Sequence, residues 1–172
     1  GDYLWNTKNC NHCFDLHNGH DCKFVFNARN TKKVYDMMVF GANKGVEFCY
    51  ENHEIGEGVR NIYFSEQIWM GCYNIWYSKL CIQNSHDVFG CIGLQHKSFC
   101  ILNKQYTEEQ FNELKARIIE HMKKTGEWGE YFPSKISPFG YNETVANIYY
   151  PLTKEQATAK GYKWKDKDMT EY

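Results

Sequence analysis

Apolar residues recur through the first hundred positions at a short, nearly fixed step. Cys22, Val34, Val46, Val59 and Cys72 are spaced by 12, 12, 13 and 13 residues. Three residues after each comes Val25, Met37, Cys49, Ile62 or Ile75. The copies are most alike at VRNIYFS from Val59 and CYNIWYS from Cys72. Both columns stay small to medium and apolar, as a stacked core requires. A looser third column, Ala28, Phe40, Asn52, Ser65 and Ser78, suits a corner. Gly45, Gly58 and Gly71 stand directly before Val46, Val59 and Cys72, where a freely turning residue would start each bend. Self-similarity of this kind marks units that bury their apolar faces only by stacking. The units are too short for helical hairpins and rich in Val, Ile, Tyr, Phe and Trp, which favour strands.

The pattern therefore predicts a mainly β chain with C-terminal helices. Residues 1–104 are expected to form a parallel β-solenoid, each 12–13-residue unit making half a coil and neighbouring strands lying ~4.8 Å apart. A meander of short antiparallel strands is the alternative; like residues at like phase favour stacking. From Cys72 the step tightens, with Cys81, Cys91 and Cys100 following at 9, 10 and 9, so the coil should taper or lose a side near its C-terminal end. Residues 105–172 are expected to form a helical and irregular cap. Thr107 and Gln110 make a capping box, Glu108 and Glu109 suit the positive end of a helix, and Gly126 supplies a stop. Phe111, Leu114, Ile118 and Met122 form one apolar face. This predicts a helix over 108–125, landing on the open end of the solenoid. Further helices are expected from Glu143 to Tyr149 after Asn142, and from the Thr153–Gln156 capping box to Gly161. The tail from Lys160 to Tyr172 reads as a packed strap that frays.

Composition adds bounds. Hydrophobic residues make up 42% of the 172, with Tyr 13, Phe 11 and Trp 5, enough to fill one core. A net charge of −1 gives no overall pull towards nucleic acid or anionic membrane, and no apolar run reaches spanning length, so no membrane partner is expected. The chain opens at Gly1 without methionine and reads as a fragment of a larger protein or a processed product. The eight cysteines invite a disulfide framework, but Val occupies the phase of Cys22 and Cys72, and Ile that of Cys49. A residue that exchanges with Val and Ile is used as a small hydrophobe. Cys10 and Cys13 have zinc-like spacing, and with His20 and Cys22 they could complete a four-ligand site. No cofactor is expected on the packing reading, and zinc on the alternative.

The C-terminal motifs carry a resemblance: FCILNKQYTEEQF from Phe99, EHMKKTGEWGEYFP from Glu120, SPFGYNETVA from Ser137 and PLTKEQATAKGYKW from Pro151. With the opening GDYLWNTKNCNHCFD, the chain resembles a cysteine-rich repeat family of candidate-phyla bacteria, usually labelled hypothetical or zinc-ribbon proteins. The resemblance implies a repeat fold and transfers no activity. Relatives carry Cys-x-x-Cys modules outside this segment, and often cysteine where this chain has Val25, Met37, Ile62 and Ile75.

No phosphate loop, nucleophile elbow or His-Glu-x-x-His is present. The leading reading is a non-enzymatic scaffold for a protein partner or for self-association. Its contact stripe would be the aligned pairs Tyr63 with Trp76 and Phe64 with Tyr77. A nucleic-acid-associated module is a second reading, from the zinc-ribbon labels and the lysine–aromatic run at Lys160–Lys165. A carbohydrate-active β-helix using Glu47, Glu51 or Glu54 is a third.

Overall fold

A computed structural model describes residues 1–38 and 44–166, so Phe40 and the tail beyond Asp166 lie outside the described residues. The chain forms two compact units, Gly1–Tyr131 and Phe132–Tyr172. The first unit is built on a repeat finer than the one that organises the sequence. From Cys13 to Met37 every third residue (Cys13, Leu16, Gly19, Cys22, Val25, Ala28, Thr31, Val34, Met37) points inward and is buried. The residue before each of these has a left-handed backbone: His12, Asp15, Asn18, Asp21, Phe24, Asn27, Asn30, Lys33 and Asp36 all have φ between 50° and 55°. Asn, Asp and His dominate because their short polar side chains tolerate that region best among residues with a Cβ. Each side of the coil is thus an inward residue, an outward residue and a left-handed corner.

Four such sides close a coil in 12 residues. The parallel register says so directly: Leu4 lies opposite Leu16 and Leu16 opposite Ala28, while Val46 lies opposite Val59. The sequence unit is accordingly a whole coil and not half of one. The sides are too short for the half-coil expectation to hold. The rest of the fold expectation stands. The described strands form one sheet in sequence order, β1 (Asp2–Trp5), β2 (Phe14–His20), β3 (Lys23–Met38), β4 (Val46–Ile55), β5 (Val59–Ile68), β6 (Tyr73–Trp76), β7 (His86–Phe89), β8 (Ser98–Ile101) and β9 (Lys104–Gln105). All pairings are parallel except β8 with β9, which turns back antiparallel.

The inward residues stack in four columns. One of them runs Val34, Cys49, Ile62, Ile75, Val88, Cys100 in register, another Thr31, Val46, Val59. The first-column and third-step residues expected to point inward are all buried. One phase differs: Val34 lies opposite Cys49, not Val46, so the step there is 15 residues. A three-residue slip moves a side chain to the next side and leaves it facing the core, which is why the sequence phase concealed it. The column holding Asn52, Ser65 and Ser78 is polar but satisfied. Asn52 Oδ1 accepts from Ser65 N–H, Ser65 Oγ from Ser78 N–H and Ser78 Oγ from Cys91 N–H. Each buried hydroxyl or amide thereby bonds the next coil instead of standing unpaired.

Coils of 13 residues hold the extra position at a glycine. Gly45, Gly58 and Gly71 have φ of 74°, 67° and 74°, and Gly58 N–H donates to Gly45 C=O at 2.9 Å. A Cβ on Gly45 would lie 2.9 Å from the Asn30 carbonyl oxygen, whereas one on Gly58 would meet only the Lys44 side chain at 3.4 Å and beyond, and Gly71 Cα.

Helix α1 (Glu108–Thr125) has the expected ends: Thr107 and Gln110 complete a capping box, and Gly126 closes it at φ 76°. It does not seal the open end of the solenoid. Its apolar face lies along the flank of the last coils, against Phe64, Tyr77, Phe89 and Ile101, with Phe111 fully buried. A ready-made aromatic column draws the helix there, and the last coil edge is instead met by β9.

In the second unit, α2 covers only Ala146–Tyr149, preceded by a 3-10 turn at Tyr141–Glu143. The longer helix expected after Asn142 does not form, because Asn142 is used elsewhere: its side chain bonds the backbone of Lys165 both ways, at 2.8 and 3.0 Å. Helix α3 (Lys154–Ala159) is capped by Thr153 and Gln156 as expected, with Ala157 buried. Tyr141 stacks on Tyr162 at 5.0 Å.

Two stability outcomes follow from this packing. Gly45→Ala should lower unfolding stability by about 1–3 kcal/mol, from left-handed strain plus the carbonyl clash, and Gly58→Ala by less, because it meets the strain without the clash. Urea titration of the two variants distinguishes them; equal losses would mean the carbonyl contact is unimportant. Phe111→Ala should cost roughly 3–5 kcal/mol, while Leu114→Ala and Ile118→Ala, only half-buried, should fall near or below about 2 kcal/mol.

Candidate functional site

The outward residues of the four sides form four columns, and their chemistry differs. One reads Phe14, Phe26 in register on the first coils, then Met38, His53, Glu66 and Lys79. The next places Trp5, His17 and Arg29 in line. A third runs Lys8, His20, Lys32, Glu47, Arg60, Tyr73 and His86. The fourth runs Tyr35, Tyr50, Tyr63, Trp76, Phe89 and Ile101.

The sequence-predicted contact stripe belongs to the fourth column and its corner. Tyr63 stacks on Trp76 at 6.4 Å and 11°, and Phe64 on Tyr77 at 4.9 Å and 14°. The stacking is as expected; the surface is not free. Phe64 and Tyr77 are buried beneath the chain's own helix and Trp128, and Tyr63 and Trp76 are half-buried there. Lys115 Nζ lies 4.5 Å above the Trp76 ring, and Tyr77 Oη accepts the Gly129 N–H at 2.9 Å. These four residues hold α1 in place.

On the first coils aromatic surface is left open. Tyr3 meets Phe14 edge-on at 5.3 Å, and Phe14 stacks on Phe26 at 5.4 Å and 9°. Trp5 stacks on His17 at 4.6 Å, and His12 on Phe24 at 5.1 Å. Tyr3, Trp5, Phe14, Phe24 and Phe26 are all exposed. The sequence carried the signal in aromatic residues 12 apart, at Phe14 and Phe26 and at His12 and Phe24.

Of the four candidate zinc ligands, Cys13 and Cys22 face the core, Cys10 is half-buried, and His20 faces outward and is exposed. Among the described residues no group of three or more His, Cys, Asp or Glu is gathered to hold a metal ion. All eight cysteines are free thiols. Burial raises Cys13 and Cys22, pushes Cys49 and Cys81 up to about 12 and Cys72 to about 11. Their thiols also donate weakly to nearby carbonyls, as Cys13 does to Asn11 and Cys49 to Glu47.

Glu47, Glu51 and Glu54 occupy an outward position and two successive corners of the same coil. His86 Nδ1 lies 2.9 Å from Asp87, whose other oxygen accepts from Asn74 at 3.1 Å. A cleft of about 250 Å³ beside α1 is lined by Tyr106, Gln110, Glu113, Leu114 and Arg117. Among the described residues no helix is long and apolar enough to cross a membrane. No family model matches the chain, and no curated protein is similar to it.

The thiols yield a pH prediction. A buried Cys stays protonated in the folded chain while the unfolded chain ionises near the ordinary value of 9.0. Stability should therefore be full below about pH 8.5 and fall as pH rises from about 9 towards 11–12. Chemical unfolding across that range tests the sign. In native protein at neutral pH a thiol reagent should label Cys10 first; immediate labelling of Cys49 or Cys72 would contradict their burial.

Proposed function

We propose that this chain is a non-enzymatic repeat scaffold that binds protein, including further copies of itself, through the exposed aromatic rungs of its first coils. The observation that carries the reading is the open ladder Tyr3, Phe14 and Phe26, flanked by Trp5 and Phe24. Rings packed on successive coils form a rigid apolar stripe that loses little side-chain freedom when covered, and such aromatic patches anchor interfaces. The left-handed corners fix each ring's direction, so the surface is formed before a partner arrives. Membership of the cysteine-rich repeat family is part of this proposal and rests on the motifs from Phe99 to Trp164.

The column Lys8, His20, Lys32 supports nucleic-acid binding as a second reading, because three basic or titratable groups stand in line beside Arg29. Sedimentation over a concentration series, with wild type against Phe14→Ser/Phe26→Ser, decides between them. The expected result is reversible association of the wild type that the double variant loses. A monomer that retains nucleic acid and releases it with rising salt would replace the scaffold reading. Turnover of an oligosaccharide would replace it with the carbohydrate reading.

A further inference from the structure

The fourth outward column has one composition and two fates. Over its C-terminal half, Phe89 and Ile101 are buried and Tyr63 and Trp76 half-buried under α1. Over its N-terminal half, the register partners Tyr35 and Tyr50 remain 40% and 36% exposed. The same column thus carries an apolar aromatic face that an amphipathic helix covers in one half and leaves open in the other. At the adjoining corner Asp36 and Glu51 follow Tyr35 and Tyr50, and both have left-handed backbones. Two carboxylates therefore stack in register across neighbouring coils, a like-charge arrangement that destabilises a strand pair. Glu130 adds a third nearby carboxylate acting on Tyr50. Among the described residues none of the three is in an ion pair.

We propose that the open half, Tyr35 and Tyr50 with Asp36 and Glu51, docks a basic amphipathic helix of a partner protein. Three observations point to that occupant. The face continues an interface already filled by a helix, and Tyr35, Tyr50, Tyr63 and Trp76 follow one another in unbroken parallel register, so an apolar row like that of α1 (Phe111, Leu114, Ile118) can lie along the open rungs. In the filled half a lysine, Lys115, lies over Trp76; the exposed tyrosine rings offer the same cation–π seat. Among the described residues these carboxylates are in no ion pair, and a basic helix supplies cations, whereas an acidic helix adds to the repulsion. Above this face the column turns basic, where Lys23 Nζ lies 4.8 Å from the Phe24 ring, which bounds the site to the rungs of Tyr35 and Tyr50. The inference rests on the scaffold reading and adds the chemistry of one partner.

The test uses the whole chain and two labelled 18-residue synthetic helices with one leucine face, the polar face lysine in one and glutamate in the other, followed by fluorescence anisotropy. The lysine helix should bind at least tenfold more tightly than the glutamate helix. Tyr35→Ser/Tyr50→Ser should weaken it tenfold or more, and Asp36→Asn/Glu51→Gln should weaken it several-fold and flatten its salt dependence. The second pair keeps both rings, so it stays informative if the serine pair fails to fold. Equal affinity for both helices overturns the charge argument. Binding that neither variant changes overturns the location. If no helix binds but Tyr35→Ser/Tyr50→Ser abolishes self-association, the occupant is a second copy and this inference fails while the scaffold reading stands. Loss of self-association only in Phe14→Ser/Phe26→Ser, with no helix bound, likewise removes this site alone.

Discussion

A backbone that enters the left-handed region at every third residue can travel only two residues before it turns. That constraint sets the cross-section of the first unit. Four turns close a coil, four side chains per coil reach the axis, and every other side chain stands outside. Residues with a Cβ adopt this conformation at a cost of about 1–2 kcal/mol each, so the corners must be compensated along the stack. Part of the compensation is visible: Asn6, Asn18 and Asn30 form a ladder in which each side-chain amide donates to the next at 2.9 Å. Asn61, Asn74 and Asp87 repeat the arrangement at another corner.

So narrow an axis also selects what fills it. Val, Ile, Cys, Ser, Thr and Ala dominate the inward positions, and an aromatic ring is absent from the core cluster of described residues along the axis. The aromatic residues are displaced to the outer faces, where they stack coil on coil. Cysteine in this setting is a compact apolar filler, and its raised ionisation follows from burial. The large rings then need covering of their own. Helix α1 serves part of that need on the last coils; the first coils keep theirs open.

Much of this was legible in the chain. The repeat, the parallel stacking, the glycine bends at Gly45, Gly58 and Gly71, and both ends of α1 follow from residue type and spacing. The coil size did not, although the sign was present: Asn6, Asn9, His12, Asp15, Asn18 and Asp21 step by three, and these residues tolerate left-handed backbone. A 12-residue echo is compatible with half a coil or a whole one until that finer step is noticed. The fate of Tyr63, Phe64, Trp76 and Tyr77 was out of reach for a different reason. Their stacking is local in the repeat, but their burial depends on where a helix forty residues downstream settles, which no periodicity reports.

The triplet side has a consequence for how the chain finds its threading. In an ordinary strand a one-residue slip turns the core face to water, and that penalty polices alignment. Here a slip of three passes each inward residue to the next side, still facing the axis, and the 15-residue step between Thr31 and Val46 is accommodated in that way. Core burial therefore discriminates poorly among such threadings. Discrimination falls to features that are not repeated on every side: the asparagine ladders at two corners, the glycine line, and the polar column through Asn52, Ser65 and Ser78. They act as an alignment key. The same indifference gives such a chain a route to vary in length, since a three-residue insertion adds a side and leaves every later residue facing as before.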